Sequence, residues 1–152
     1  MAWWRALVVL CALSATLSVM PAALAVPDDR FAYTDRFVYA ADFSDARCLG
    51  FGCRPNFAYK AARRASEDDA AIVPYLLSRY PNARPTGKLY IALIVRIHDP
   101  DKGNALLKEL SKLRGAHIAE LSGCELTFLD LGPLADSFLY RPDFRFDKLP
   151  SL

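Results

Sequence analysis

Residues 85–115, "PTGKLYIALIVRIHDPDKGNALLKELSKLRG", decide the fold of this chain. Asp99 and Pro100 divide the stretch, because aspartate caps helices well and proline suits the first helical turn. Gly115 ends the second half, in which four leucines recur at helical spacing: Leu106, Leu107, Leu110 and Leu113. The pattern predicts an amphipathic helix that begins at Pro100.

The first half of the stretch, residues 89–97, admits two interpretations. It is apolar nearly all round, which is typical of a buried central helix, but it is also rich in residues that favour strands. As a strand, it would form a βαβ unit with the following helix and with the alternating "CELTFLDL" at residues 124–131. Periodicity does not separate the two interpretations, and propensity favours the helix only slightly.

The stretch also carries a motif that is found elsewhere. The motif positions are Thr86, Gly87, Lys88, Leu89, Tyr90, Ala92, Leu93, Asp99, Gly123 and Cys124. On these residues, and on the Gly50-Phe51-Gly52 turn upstream, the chain resembles a group of small exported bacterial proteins of uncharacterised activity. The resemblance covers about residues 48–126. That group is similar to a truncated α-helical repeat of the HEAT kind, so the resemblance implies stacked helix pairs.

We therefore expect an all-α fold, a short stack of antiparallel helix pairs with an extended N-terminal arm. The alternative is an α/β fold with a βαβ unit around residues 89–131. Residues 26–54 are expected to form the arm and a Gly/Cys turn, and residues 55–126 the helical domain. Residues 127–152 would then be a C-terminal segment that packs on this domain, with short strands possible at both ends.

Residues 1–25 have the layout of a cleavable secretory signal. Arg5 precedes an apolar stretch from Ala6 to Met20, which is shorter than a membrane span needs. Ala23 and Ala25 are small residues of the kind that signal peptidase reads, so cleavage is predicted between Ala25 and Val26. The expected location is the periplasm or the medium, with no transmembrane span in the mature chain.

Export favours disulfide bonds at the three cysteines of the mature chain, Cys48, Cys53 and Cys124. The spacing of Cys48 and Cys53 is too wide for a redox motif, and a zinc site is disfavoured because His98 and His117 are scattered. A Cys53–Cys124 bond would restrain the unfolded chain by about 4 kcal/mol, against about 2 kcal/mol for a Cys48–Cys53 bond. We expect a long-range bond to Cys124, with Cys53 slightly favoured over Cys48 as its partner.

Aromatic residues alternate with other residues near both ends of the mature chain. They are Phe31, Tyr33, Phe37 and Tyr39 in "DRFAYTDRFVYA", and Tyr140, Phe144 and Phe146 in "FLYRPDFRFDKLP". The N-terminal alternation predicts an extended segment with one aromatic face. Aromatic and arginine side chains are favoured at binding hot spots, so these residues are candidate partner contacts. The other interpretation is that both segments pack on the helical domain.

The sequence shows no catalytic, cofactor-binding or metal-binding set. Its mixed charges, with a formal net charge of +2, give no electrostatic footprint for nucleic acid. His98 is expected to end one helix and Asp99 to cap the next, which leaves neither for catalysis. The leading hypothesis is a non-enzymatic module that binds another protein. The alternatives are a carrier of a small ligand or lipid and a thiol enzyme that uses Cys124.

Overall fold

The computed structural model describes residues 29–44, 48–49, 54–122 and 125–146. These residues are mostly helical, with six α-helices and a small three-stranded mixed sheet. The expected helical majority is confirmed. The all-α expectation is only partly correct, because residues 42–43, 117–122 and 125–130 form this small mixed sheet.

The helices and strands have the following bounds in chain order. They are a 3₁₀ helix Asp29–Thr34, α1 Asp35–Val38, β1 Asp42–Phe43, β2 Cys48–Leu49, β3 Arg54–Pro55, α2 Phe57–Glu67, α3 Ile72–Arg79, a 3₁₀ turn Tyr80–Asn82, α4 Pro85–His98, α5 Pro100–Leu110, β4 His117–Ser122, β5 Glu125–Asp130 and α6 Leu131–Leu139. The short strands β2 and β3 form an antiparallel pair of their own, separate from the three-stranded sheet.

Helix α4 is the centre of the hydrophobic core. Its residues 89–95 are all buried, and α1, α2, α3 and α5 pack around it. A helix that is apolar nearly all round needs neighbours on every side, and here it has them. Residues 89–97 are therefore helical, and the βαβ unit considered for residues 89–131 does not form.

Helices α4 and α5 form an antiparallel hairpin with a very close contact. The Asp99 carboxylate caps α5 by accepting a hydrogen bond from the Lys102 N–H at 3.1 Å, and Pro100 is the first helical residue. The predicted cap is confirmed. Farther along, Gly103 lies against the main chain of Arg96, where an added Cβ would overlap the Arg96 Cα. The missing side chain of Gly103 is what lets the two helices approach so closely.

The three-stranded sheet has the order β1-β4-β5. Strand β1 pairs in parallel with β4, with Asp42 opposite Ala119, and helices α2 to α5 lie in the connection between them. Strands β4 and β5 form an antiparallel hairpin, with His117 opposite Asp130. The strand considered at residues 124–131 therefore exists as β5, but its partner is the antiparallel β4.

The N-terminal segment is helical, and the expectation of an extended arm is wrong for its described residues. The 3₁₀ helix Asp29–Thr34 continues directly into α1. Phe31, Thr34, Phe37 and Val38 are buried, so burial follows the helical spacing of three to four residues. The aromatic alternation was misleading because Phe31 and Phe37 also share one side of a tight helix.

Aromatic side chains join both ends of the chain to α4. The Tyr90 ring stacks on Phe146 with the centroids 6.1 Å apart, and it contacts Phe37 at 5.9 Å. The Tyr90 hydroxyl accepts from the Ser44 N–H and donates to the Ser44 carbonyl, each at 3.0 Å. Phe146 is only 1% exposed, so the last described residue closes the core.

Candidate protein-interaction surface

The outer face of the β4–β5 hairpin is largely apolar and open to solvent. We define it by the side chains that share this face: His117, Ala119 and Leu121 on β4, and Leu126, Phe128 and Asp130 on β5. Phe128 is 71% exposed and Leu126 is 54% exposed. Two large apolar side chains on one face of one strand form a patch, which single scattered surface residues do not.

The strand alternation explains why this patch faces outward. Ile118 and Leu129 lie opposite each other across the hairpin and point toward the core, where Ile118 is buried and Leu129 is half-buried. Successive side chains of a strand point to opposite faces, so Phe128 must point away from the core. A shift of one residue would exchange the faces. The burial of Ile118 and Leu129 therefore determines the exposure of Phe128.

Strand β5 is also a free edge of the sheet. The Leu131 N–H donates to the Ala116 carbonyl at 2.8 Å, which sets the phase of the hydrogen bonds along the hairpin. Bonded pairs alternate in an antiparallel ladder, so Thr127 bonds to β4, and the N–H and C=O groups of Leu126 and Phe128 point outward. Within the described residues, no other strand or backbone group pairs with these outward groups.

Acidic side chains stand at both ends of β5. Glu125 begins the strand, Asp130 ends it, and both are exposed. The His117 Nδ1 lies 2.7 Å from the Asp130 Oδ1, so a protonated imidazole would pair with this carboxylate. Among the described side chains, Glu125 has no ion-pair partner. The surface is therefore apolar in its centre, and near the hairpin tip it carries a negative charge that no described side chain neutralises.

The elements behind the hairpin hold it in place. Leu131 follows β5 directly, begins α6 and is fully buried. On the inner side of the sheet, the buried Phe43 of β1 contacts Phe138 of α6, with the ring centroids 5.9 Å apart. These contacts, together with the pairing of β1 with β4, anchor the base of the hairpin to α6.

An open cleft of about 480 Å³ lies beside the hairpin, between the end of α5 and the start of α6. Its described lining mixes Lys112 and Arg114 with Asp130 and Asp136. The Arg114 Nη1 already donates to the Ser111 carbonyl at 3.0 Å. With charges of both signs, this lining does not select an anion or a cation.

Five of the seven aromatic residues considered as partner contacts lie in the core or pack against it. Three are buried (Phe31, Phe37 and Phe146), two are half-buried (Tyr33 and Phe144), and two are exposed (Tyr39 and Tyr140). A buried ring cannot touch a partner without local unfolding, so core packing accounts for the first three. The Tyr33 hydroxyl donates to Asp68 at 2.9 Å, and burial, together with this bond, raises the pKa of Tyr33. Partner contact through Tyr39 and Tyr140 stays a prediction.

The disulfide and export predictions fall outside the described residues. Cys53 and Cys124 are not described, and for Cys48 only the backbone is, as part of β2. The predicted cleavage site between Ala25 and Val26 lies in the N-terminal segment before residue 29, which is also outside the described part. The disulfide, the signal peptide and a reactive Cys124 therefore stay predictions.

Both residues of the His98-Asp99 pair interact with helix ends. The His98 Nε2 lies 3.0 Å from the carbonyl oxygen of Ala65 in α2, while Asp99 caps α5. Across the described ranges, no group of three or more His, Cys, Asp or Glu side chains is arranged to hold a metal ion. His98 thus contacts the last turn of α2, and Asp99 caps α5 as the capping pattern predicted.

The sequence interpretation missed Leu126 and Phe128 as surface residues, although a signal for them exists. Strand β5 carries apolar residues at both sets of alternating positions, with Leu126 and Phe128 in one set and Leu129 in the other. A sheet with one face in solvent needs apolar side chains only on the face that packs on the core. The apolar residues at the second set of positions therefore indicated an exposed apolar face.

No family model, curated protein or solved structure matches this chain. In the part of the chain that the structure describes, no helix has both the length and the apolar character to cross a bilayer. A functional proposal must therefore rest on the geometry of the β4–β5 hairpin.

Proposed function

We propose that this chain is an exported, non-enzymatic protein-interaction module that binds an extended segment of another protein at the free edge of β5. The observation that carries the proposal is the exposure of Phe128 and Leu126 on a strand whose outward backbone groups bond to no other described residue. Apolar side chains and free backbone groups on the same strand are what binding by strand addition requires.

Strand addition would use both features at once. The N–H and C=O groups of Leu126 and Phe128 would bond to the segment's backbone, and its alternate side chains would cover the two apolar residues. Burying most of the exposed area of Phe128 and Leu126 contributes about 3 kcal/mol. Since association itself has an entropic cost, we expect affinity in roughly the micromolar to millimolar range for the isolated segment.

The helices supply a scaffold for this surface. The antiparallel pair of α4 and α5 supports the interpretation of the helical part as a truncated repeat, a class of structure that often presents binding surfaces. Export is supported by the pattern of residues 1–25 in the sequence. Sequencing of the mature N-terminus tests this part, with Val26 expected as the first residue.

Site-specific photo-crosslinking tests the proposed surface. The photoreactive amino acid p-benzoylphenylalanine replaces Phe128 in one variant and Phe57 in a matched control, because Phe57 is an aromatic residue on α2 that is 58% exposed. Irradiation in the producing cells should give a discrete adduct from position 128 and none, or a different one, from position 57. If no adduct forms from position 128, or if both positions give the same adducts, the result contradicts the proposal.

A further inference from the structure

We infer that the bound segment runs antiparallel to β5 and carries a lysine or arginine immediately after two apolar residues that flank a polar one. The inference rests on the proposed function and adds the chemistry and direction of the partner segment. Two observations carry it: the hydrogen-bond phase of β5 and the exposed carboxylate of Glu125, which pairs with no cation among the described side chains.

The phase of the ladder assigns a role to each position of the segment. Its residues opposite Phe128 and Leu126 exchange backbone hydrogen bonds with β5 and place their side chains on the outer face, where apolar groups fit. The residue between them lies opposite Thr127, on the other face of the sheet. The next residue of an antiparallel segment then lies opposite Glu125.

The charges around β5 favour a cation at that last position. Directly opposed residues have Cβ atoms about 5 Å apart, so a lysine or arginine there reaches the exposed Glu125 carboxylate. The carboxylate at the other end of the strand, Asp130, does not need a cation from the segment. It already contacts His117 and shares its cleft with Lys112 and Arg114. This difference places the cation of the segment at the Glu125 end, and the antiparallel direction is inferred because antiparallel pairs are more stable per residue than parallel ones.

A second copy of β5 does not meet the requirement. An antiparallel self-pair must exchange hydrogen bonds between the outward residues Leu126 and Phe128 of the two copies. The registers that do so place Thr127, Leu129 or Leu131 of the second copy opposite Glu125. In each of them the Glu125 carboxylate is left without a cation, and the second copy adds the same negative charges to the edge.

Three synthetic peptides and the full chain test the inference. The first is Ser-Thr-Val-Thr-Val-Lys-Ser, the second has the same composition with lysine moved in front of the valines, and the third has glutamate in place of lysine. Binding is followed by NMR from the amide shifts of Leu126 and Phe128. The first peptide should bind about fivefold more tightly than the second and about tenfold more tightly than the third. The Glu125→Gln variant should remove most of the preference between the first two.

Backbone methylation tests the hydrogen-bond phase separately from the charge. An N-methyl group on either valine of the first peptide removes a donor that faces β5, so binding should be lost. An N-methyl group on the threonine between the valines should leave binding nearly unchanged, because that N–H faces away from β5.

The outcomes distinguish this inference from the proposed function. Equal affinities for the three peptides, with shifts at Leu126 and Phe128, would overturn the inferred charge and direction of the segment. The proposal that β5 binds an extended segment at its edge would still hold. No shift from any peptide, together with no adduct from position 128, would overturn both. Sedimentation that shows a dimer, and that shows a monomer for Phe128→Pro, would assign the edge to a second copy and overturn the inference.

Discussion

The guanidinium of Arg96 donates through Nη1 to the carbonyl oxygen of Phe138 at 2.6 Å, so a buried cation on α4 meets the end of α6. Its Nη2 donates to the Arg141 carbonyl at 3.2 Å. Arg96 is 6% exposed; burial lowers its pKa, and repulsion from Arg145 lowers it further. The carbonyls at a helix C-terminus carry partial negative charge, which compensates part of this cost.

Replacement of Arg96 by methionine should destabilise the protein. The change removes both donors and leaves the Phe138 and Arg141 carbonyls without them, while it relieves the desolvation of the cation. Because hydrogen bonds to charged groups are stronger than neutral ones, we expect a net loss of about 2 kcal/mol in the free energy of unfolding. Urea denaturation measures it, with Arg84→Met on the exposed surface as the control. An unchanged midpoint for Arg96→Met would mean that desolvation cancels the hydrogen bonds.

Gly103→Ala should be more damaging than Gly115→Ala, for a different reason. A Cβ on Gly103 would overlap the main chain of Arg96, so α4 and α5 would have to separate, at a cost of about 3 kcal/mol. Gly115 has open space around it but a φ of 71°, so alanine there suffers only backbone strain of about 1 kcal/mol. Thermal or urea unfolding of the two variants gives the order. The opposite order would show that the helices can adjust to the added carbon.

Two aromatic residues in the C-terminal segment should respond very differently to truncation. Phe146→Ala removes a buried ring from contact with Tyr59 and Tyr90 and should lower the free energy of unfolding by about 3 kcal/mol. Tyr140→Ala should change it by less than about 0.5 kcal/mol, since Tyr140 is exposed. If Tyr140→Ala is as destabilising as Phe146→Ala, the C-terminal segment packs differently from the structure described.

Proline substitutions should separate partner binding from folding. Phe128→Pro removes an N–H that points away from β4, so folding should be affected by about 1 kcal/mol or less while partner binding at the edge is lost. Thr127→Pro removes an N–H that bonds to β4 and should cost about 3 kcal/mol. Unfolding curves and the peptide titration measure the two effects. A Phe128→Pro variant that folds and still binds would argue against strand addition.

The start of α5 and the burial of residues 89–95 were predictable because their signals are local, although those signals did not decide between helix and strand for residues 89–97. Asp99 and Pro100 act on the backbone within one helical turn, and the apolar character of residues 89–95 by itself requires neighbours all round. The predicted apolar stripe extended too far, since α5 ends at Leu110 and Leu113 lies beyond it, exposed. Nothing in the spacing of the leucines marks that end.

The exposed edge was not predictable because distant residues determine it. Phe128 and Leu129 are adjacent and both apolar, so the strand alone does not show which of them faces the core. That choice follows from the register of the hairpin, which places Leu129 opposite the buried Ile118 of β4. The prediction of an extended N-terminal segment was wrong for a related reason. Phe31 and Phe37 satisfy an alternating and a helical pattern equally well.

The parallel pairing of β1 with β4 has a consequence for the order in which the protein folds. As the ribosome makes the chain, Asp42 emerges long before its partner Ala119, and Phe146, which covers Tyr90, emerges later still. The core therefore cannot be completed until Phe146 has been synthesised, and long-range pairing of this kind slows folding.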